Sequence, residues 1–243
     1  MKIAIFLPGF VKSYKQLEEL ESLKKSMEQH DIFVFGHIFR FVINPSANKE
    51  KINYHEKKLI NENNLHMFTK YSFVDDNYEQ YDKDGYDNRI YSQWYNLAKS
   101  FELYQDFSKQ NNIVCDMFVR LRCDIVIKDN SLFESYIHQC IDENKMCLFE
   151  PSCYKISDQI FMGTLLHFEK IIHIHEHMES YYEVPLIKQR IQQHKNRPNK
   201  PPHNKNLRCS CQSELLLWTH IEKNLQKNDY FIEKHIHGLN RGN

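Results

Sequence analysis

Glycine is scarce, with six residues in a chain of 243, and no G-x-G-x-x-G follows the first apolar run. That absence argues against a dinucleotide-binding dehydrogenase or a Rossmann-type methyltransferase, which need glycines where the backbone meets a pyrophosphate. Charge of one sign is lacking too. Lys plus Arg and Asp plus Glu both number 32, for a formal net charge of zero. Bulk attraction to nucleic acid is therefore not expected. There is no apolar run of about 18 residues, so no membrane-spanning helix is expected. The opening Met-Lys-Ile-Ala-Ile-Phe-Leu-Pro is too short for a secretory signal. The expectation is a soluble cytoplasmic protein, at most peripheral at the inner face of a membrane. Seven cysteines (115, 123, 140, 147, 153, 209 and 211) are scattered and odd in number. Cys209-Ser-Cys211 is the one close pair and lacks C-x-x-C spacing, so reduced thiols rather than a disulfide framework, redox pair or zinc site are expected.

What the chain has is apolar and aromatic content. Hydrophobic residues make up 41% and aromatics 13%, with 16 Phe and 14 Tyr, enough for a sizeable core. Lys2–Leu7 reads as a buried strand ended by the turn Pro8-Gly9. A helix capped by Ser13 runs to about Gln29, and Asp31–Gly36 is a second apolar strand. Strand, helix and strand in so short a span make a βαβ unit, which requires a parallel sheet. Residues 41–64 read as a polar excursion with a short helix, and 75–88 as an acidic, Tyr-rich loop. Ile90, Trp94, Leu97, Phe101 and Tyr104 recur at steps of four and three, the buried stripe of a helix.

Met117–Ile127 then reads as one buried strand on which Arg120, Arg122 and Asp124 share a face, because side chains alternate along a strand. Two cations and a carboxylate in an apolar strand are costly without partners. A phosphate ligand, with or without a metal ion, answers that cost most simply; the alternative is an internal Arg–Asp ion-pair ladder. A helix over 131–141, strands over 146–150 and 156–162, a helix over 164–181, a helix over 213–226 and a strand over 230–236 complete the reading. The fold class is α/β, a mainly parallel central sheet flanked by helices.

In such sheets ligands bind beyond the carboxyl ends of the strands. Pro8, Gly9 and Lys12 follow the first strand, Gly36-His37 closes the second, and Asp124 lies towards the end of the third. Asp158 begins an apolar strand and is either a catalytic base or an ordinary turn cap. His173 and His177 share a helix face but lack a metal-binding motif, so a solvated face is preferred. His237, on a final strand that could return to the cleft, is the better ligand candidate. The basic stretch 188–208, inside the Pro-interrupted segment 185–208, could meet phosphates or an anionic membrane surface.

Together these strings resemble a GT-A type glycosyltransferase, most closely those of bacterial capsule or lipopolysaccharide clusters and of large viruses that build surface glycans. The resemblance rests on Ile3–Gly9, Asp31–His37, Ser92-Gln-Trp-Tyr95, Arg120–Asp124 and Asp158–Gly163, in order over about residues 1–170. It implies a single Rossmann-like domain, with a nucleotide-sugar-binding half over 1–130 and an acceptor-side half over 131–243. It implies a nucleotide-diphosphate sugar donor, contacted by Pro8, Gly9, Lys12, His37, Arg120, Arg122 and Asp124, and a glycan or lipid-linked glycan acceptor activated by Asp158. It implies a divalent metal, Mn²⁺ or Mg²⁺, for which Asp124 and His237 are the candidate ligands. The family's D-x-D is here Arg122-Cys-Asp124, with one aspartate. Two other readings compete: a nucleotidyl- or phospho-group transferase on a similar sheet, and a non-catalytic module binding a glycan or nucleotide.

Overall fold

The computed structural model describes residues 1–9, 11, 14–44, 56–74, 88–122, 125–150, 156–189, 206–234 and 237–239. The expected βαβ unit is present. β1 (Lys2–Phe6) and β2 (Asp31–Phe39) pair in parallel around α1 (Tyr14–Ser26); Ser13 lies outside the described residues. β2 does not close at Gly36-His37 but runs on to Phe39, because β5 (Lys70–Val74) pairs with it in parallel from Phe35 onward. Gly36 sits inside the strand because Phe68 packs onto it, and a Cβ there would collide with that ring. The excursion over 41–64 contains a hairpin, β3 (Phe41–Asn44) with β4 (Glu56–Leu59), and a 3-10 turn over Glu62–Leu65. The Tyr-rich stretch 75–87 lies outside the described residues.

α2 (Asn88–Asn111) buries the predicted stripe of Ile90, Trp94, Leu97, Phe101 and Tyr104. The arginine strand differs from expectation. β6 (Met117–Leu121) stops before Arg122, and Ile125–Ile127 forms a separate β7. The Arg122 N–H bonds to the Gln159 carbonyl (2.9 Å), and the Ile125 N–H folds back to the Arg122 carbonyl (3.0 Å). That turn ends the strand alternation.

Next come α3 (Asn130–Asp142), whose N-terminus is capped by the Asp129 carboxylate, β8 (Met146–Phe149) and β9 (Ile160–Gly163). The expected long helix after β9 is broken into α4 (Leu165–Ile172), a 3-10 turn (Ile174–His177) and α5 (Met178–Tyr182). Ile172 and Ile174 are both buried, and a step of two cannot keep both on one face of an α-helix. α6 (Asn206–Asn224) starts before the predicted Ser213. The last strand divides into β10 (Tyr230–Glu233) and β11 (His237–Leu239).

The main sheet has seven strands in the order β10-β8-β9-β6-β1-β2-β5. All pairs are parallel except those of β9, which runs antiparallel to both β6 and β8. α1 and α3 cover one face; α2, α4, α5 and α6 cover the other. No described helix is long and apolar enough to cross a membrane. Cys115, Cys140 and Cys147 are free and buried, and burial pushes the Cys115 thiol up to about 12.

The second face is an aromatic layer. The Phe6 ring lies 5.1 Å from Phe168, 5.8 Å from Phe35 and Phe101, and 6.2 Å from Tyr104 and Phe118. Beyond it, buried His220 of α6 donates from Nε2 to the Lys170 carbonyl (2.7 Å) and accepts at Nδ1 from the Tyr181 hydroxyl (2.6 Å), joining α6 to α4 and α5. Burial pushes His220 down to about 4.

Truncating Phe6→Ala should cost about 3–5 kcal/mol in urea unfolding; a loss below about 1 kcal/mol would contradict this packing. His220 is neutral in the folded state where the unfolded imidazole, titrating near 6.5, is already protonated. Stability should therefore fall by about 1.4 kcal/mol per pH unit as pH drops from 6.5 towards 4. Urea midpoints in that window check the slope, which should flatten in His220→Asn.

Candidate active site

β1, β2, β5 and β6 run in one direction, so their carboxyl ends share an edge of the sheet. β9 runs the other way, so its amino end enters at that same edge. The register Leu121 beside Ile160 and Arg120 beside Phe161 puts the residues before β9 against the end of β6. Ser157 donates its N–H to the Phe149 carbonyl (2.7 Å) and accepts the Gln159 N–H at its hydroxyl (3.2 Å). This turn, rather than a strand from residue 156, fixes Asp158.

Asp158 is 1% exposed. Its Oδ2 accepts a 2.9 Å hydrogen bond from Gln93 Nε2, which also donates to the Ser213 hydroxyl at 2.8 Å. The two bonds use the whole donor capacity of the Gln93 amide. Asp158 Oδ1 is buried and has no hydrogen-bond partner among the described residues. Buried oxygens are rarely left so.

Arg120 is fully buried on the same face of the sheet. Its guanidinium carbon lies 4.8 Å from the Trp94 ring centre and 5.6 Å from that of Phe161, a cation–π arrangement. Glu214, next to Ser213, is a second fully buried carboxylate. A cation and two carboxylates thus lie inside the aromatic half of the protein, where charge is expensive.

At the ends of β1 and β2 the ladder continues beyond the strands. The Gly9 N–H bonds to the His37 carbonyl (3.0 Å), and the Phe39 N–H to the Gly9 carbonyl (3.2 Å). Gly9 has φ +96°, which L side chains rarely adopt, and open space where a Cβ would point. The His37 N–H donates to the Ser100 hydroxyl, and its Nδ1 pairs with the Ser72 hydroxyl, both at 2.8 Å. His37 faces α2, where Tyr91 and Tyr95 stack at 5.7 Å and His175 stands edge-on to Tyr95 at 5.4 Å. Burial lowers the His175 pKa.

The structure therefore brings Pro8, Gly9 and His37 together at the strand ends, and Arg120 and Asp158 beside one another's strands. Arg122 lies past the end of β6, among the residues lining a cavity of about 40 Å³ on the α1 face with Leu7, Gln16, Leu20 and Ile125. Lys12 and Asp124 lie outside the described residues. The backbone of β11 pairs antiparallel with β7, His237 opposite Ile127, which returns the final strand to the segment after Asp124; the His237 side chain is not described. Among the described residues, no three metal-ligating side chains converge at this edge of the sheet.

In the sequence Trp94 reads only as one residue of the buried stripe, and Gln93 and Ser213 carry no signal of their own. Gln93 and Trp94 belong to the Ser92–Tyr95 string, whereas Ser213 and Glu214 look like ordinary helix residues.

No family model matches the chain, and no curated protein matches it in sequence. Solved structures are similar over most of its length. A glycosyltransferase involved in glycosylation of the major capsid of PBCV-1 is 10% identical, with 96% of this chain and 83% of that one covered and a TM-score of 0.42. The galactosyltransferase LgtC, in complex with donor and acceptor sugar analogues, is 12% identical over 96% of this chain and 73% of its own, also at 0.42. A Bacillus anthracis protein assigned as a glucose-1-phosphate thymidylyltransferase, in complex with sucrose, is 11% identical over 97% and 87%, at 0.38. All three are likenesses at low identity, with TM-scores below 0.5.

Replacing Gln93→Leu removes the donor to both Asp158 and Ser213. It should cost about 1–3 kcal/mol in urea unfolding. Combined with Asp158→Asn, the two losses should fail to add by at least about 0.5 kcal/mol. Simple additivity would show that the contact carries no energy.

Proposed function

We propose that the protein is a glycosyltransferase, moving a sugar from a nucleotide-diphosphate donor to a hydroxyl of a glycan or lipid-linked glycan during surface-glycan synthesis. The observation that carries this is Asp158, a buried carboxylate at the carboxyl edge of a mainly parallel sheet, held through one oxygen by Gln93 while the other has no donor among the described residues. An acceptor hydroxyl supplies that donor, and Asp158 takes its proton as the hydroxyl attacks the anomeric carbon and the nucleoside diphosphate departs.

The donor lies across the ends of β1, β2 and β6. Its diphosphate meets the turn from Pro8 and Gly9 to Lys12, with His37 alongside and Asp124 at the β6 end. Arg122, just past the end of β6, supplies positive charge on the leaving-group side, the role a cation plays at a departing diphosphate, and the buried Arg120 adds to the field from the other face of the sheet. Where Mn²⁺ or Mg²⁺ takes part, Asp124 and His237 would hold it, and the ion would supply positive charge for the diphosphate. Residues 1–130 form the donor half and 131–243 the acceptor half. The basic stretch 188–208 suits an anionic lipid-linked acceptor at a membrane surface.

The test joins binding to products. A thermal-shift screen of nucleoside diphosphates and nucleotide sugars, with and without Mn²⁺ and Mg²⁺, should give a base-specific rise in melting temperature. Turnover should release free nucleoside diphosphate, whereas pyrophosphate would signify nucleotidyl transfer. Asp158→Asn should keep the thermal shift and lose about 10²- to 10⁴-fold in turnover. Binding without turnover in the unmodified protein would leave a binding module instead, and a fully active Asp158→Asn would remove the base from Asp158.

A further inference from the structure

At the opposite end of the sheet, where the parallel strands begin, three side chains converge for which the proposed chemistry has no use. His30 ends the turn between α1 and β2; Glu134 and His138 are one turn apart on α3. Glu134 Oε1 lies 2.7 Å from His30 Nε2 and 3.9 Å from His138 Nε2, and one ligand atom from each residue fits within 4.8 Å of the others. Gln29 Nε2 donates to the same oxygen at 2.7 Å. The side chains are graded in exposure, 8% for His30, 27% for Glu134 and 54% for His138, so the cluster opens to solvent on its His138 side.

We propose that His30, Glu134 and His138 form a site for a divalent transition metal of the Zn²⁺ type, fastening α3 to the turn before β2. Tetrahedral ligands at zinc bond lengths of 2.0–2.1 Å stand about 3.3 Å apart. The two separations from Glu134 lie on either side of that figure, so binding draws the Glu134 carboxylate away from His30 and towards His138 by about 0.6 Å each. Two imidazoles and a carboxylate favour Zn²⁺, Co²⁺ or Ni²⁺ over Mg²⁺ or Ca²⁺, which take all-oxygen shells. The spacing is also economical, since residues four apart on a helix sit one above the other. Glu134 is already held as the carboxylate, its pKa lowered by the Gln29 and His30 hydrogen bonds.

Two features set the strength. The fourth position is open to water. His30 Nδ1 is buried without a hydrogen-bond partner among the described residues, so no second group orients the ring. Missing outer-shell partners weaken metal sites by about 10- to 100-fold. The expected dissociation constant is thus about micromolar, far weaker than a closed four-ligand site.

The experiment is calorimetric titration of the full chain with ZnCl₂, repeated with CoCl₂ to read the visible absorption of four-coordinate Co²⁺. One ion per chain should bind and raise the melting temperature. His138→Ala, which alters an exposed side chain, and Glu134→Gln should each weaken binding by about tenfold or more and abolish the Co²⁺ band. Absence of heat and of any melting shift would overturn the site. So would undiminished binding in the His138→Ala/Glu134→Gln double variant, which would place the ion elsewhere. The thermal shift with nucleotides is read separately, so the two proposals fail independently.

Discussion

Three elements far apart in sequence meet at the carboxamide of Gln93. One hydrogen goes to Asp158 before β9 and the other to Ser213 on α6, while the next residue, Trp94, lies under the Arg120 guanidinium. The amide has no third hydrogen to give, so the positions of α2, α6 and the start of β9 are set by one group. The arrangement depends on β9 running against its neighbours, since a parallel β9 would put Asp158 at the far edge of the sheet. A strand order and a single hydrogen-bond donor thus decide where a buried carboxylate can stand.

The chemistry of the molecule is segregated by face. α1 and α3 cover an aliphatic layer, and α2 and α4 to α6 cover an aromatic one. The buried side chains Arg120, Asp158 and Glu214 belong to the aromatic side, where the faces of Trp94 and Phe161 offer a guanidinium partial compensation that aliphatic side chains cannot.

How much of this was legible follows from which signals are periodic. The α2 stripe and the first βαβ unit were readable because one apolar period runs through each. The edge strand β5 was not, since Lys70-Tyr-Ser-Phe-Val74 is half polar and takes its place from pairing with β2. The break after Leu121 was hidden because Val126 and Ile127 continue an apolar run, while the turn that ends β6 is marked by backbone hydrogen bonds of Arg122 and Ile125. Asp158 and Gln93 lay in recognisable short strings. Ser213 and Glu214 carried no signal, because a helix sequence does not announce what a distant amide will donate to.

The reversed direction of β9 has one more effect, on the order in which the sheet can assemble. β2, β1 and β6 can pair once the first 121 residues are available, with a helix close at hand for each crossover. β8 cannot join them, since its link to that half is β9, which follows it in the chain. Until β9 arrives, Met146-Cys-Leu-Phe149, wholly buried in the finished protein, has two open edges and only α3, just ahead of it in the chain, to cover one of its faces. Non-local pairing of this kind slows folding and prolongs the exposure of sticky strands. The reversal that places a buried carboxylate at the carboxyl edge of the sheet therefore also creates the interval in which this chain is most prone to associate with other copies of itself.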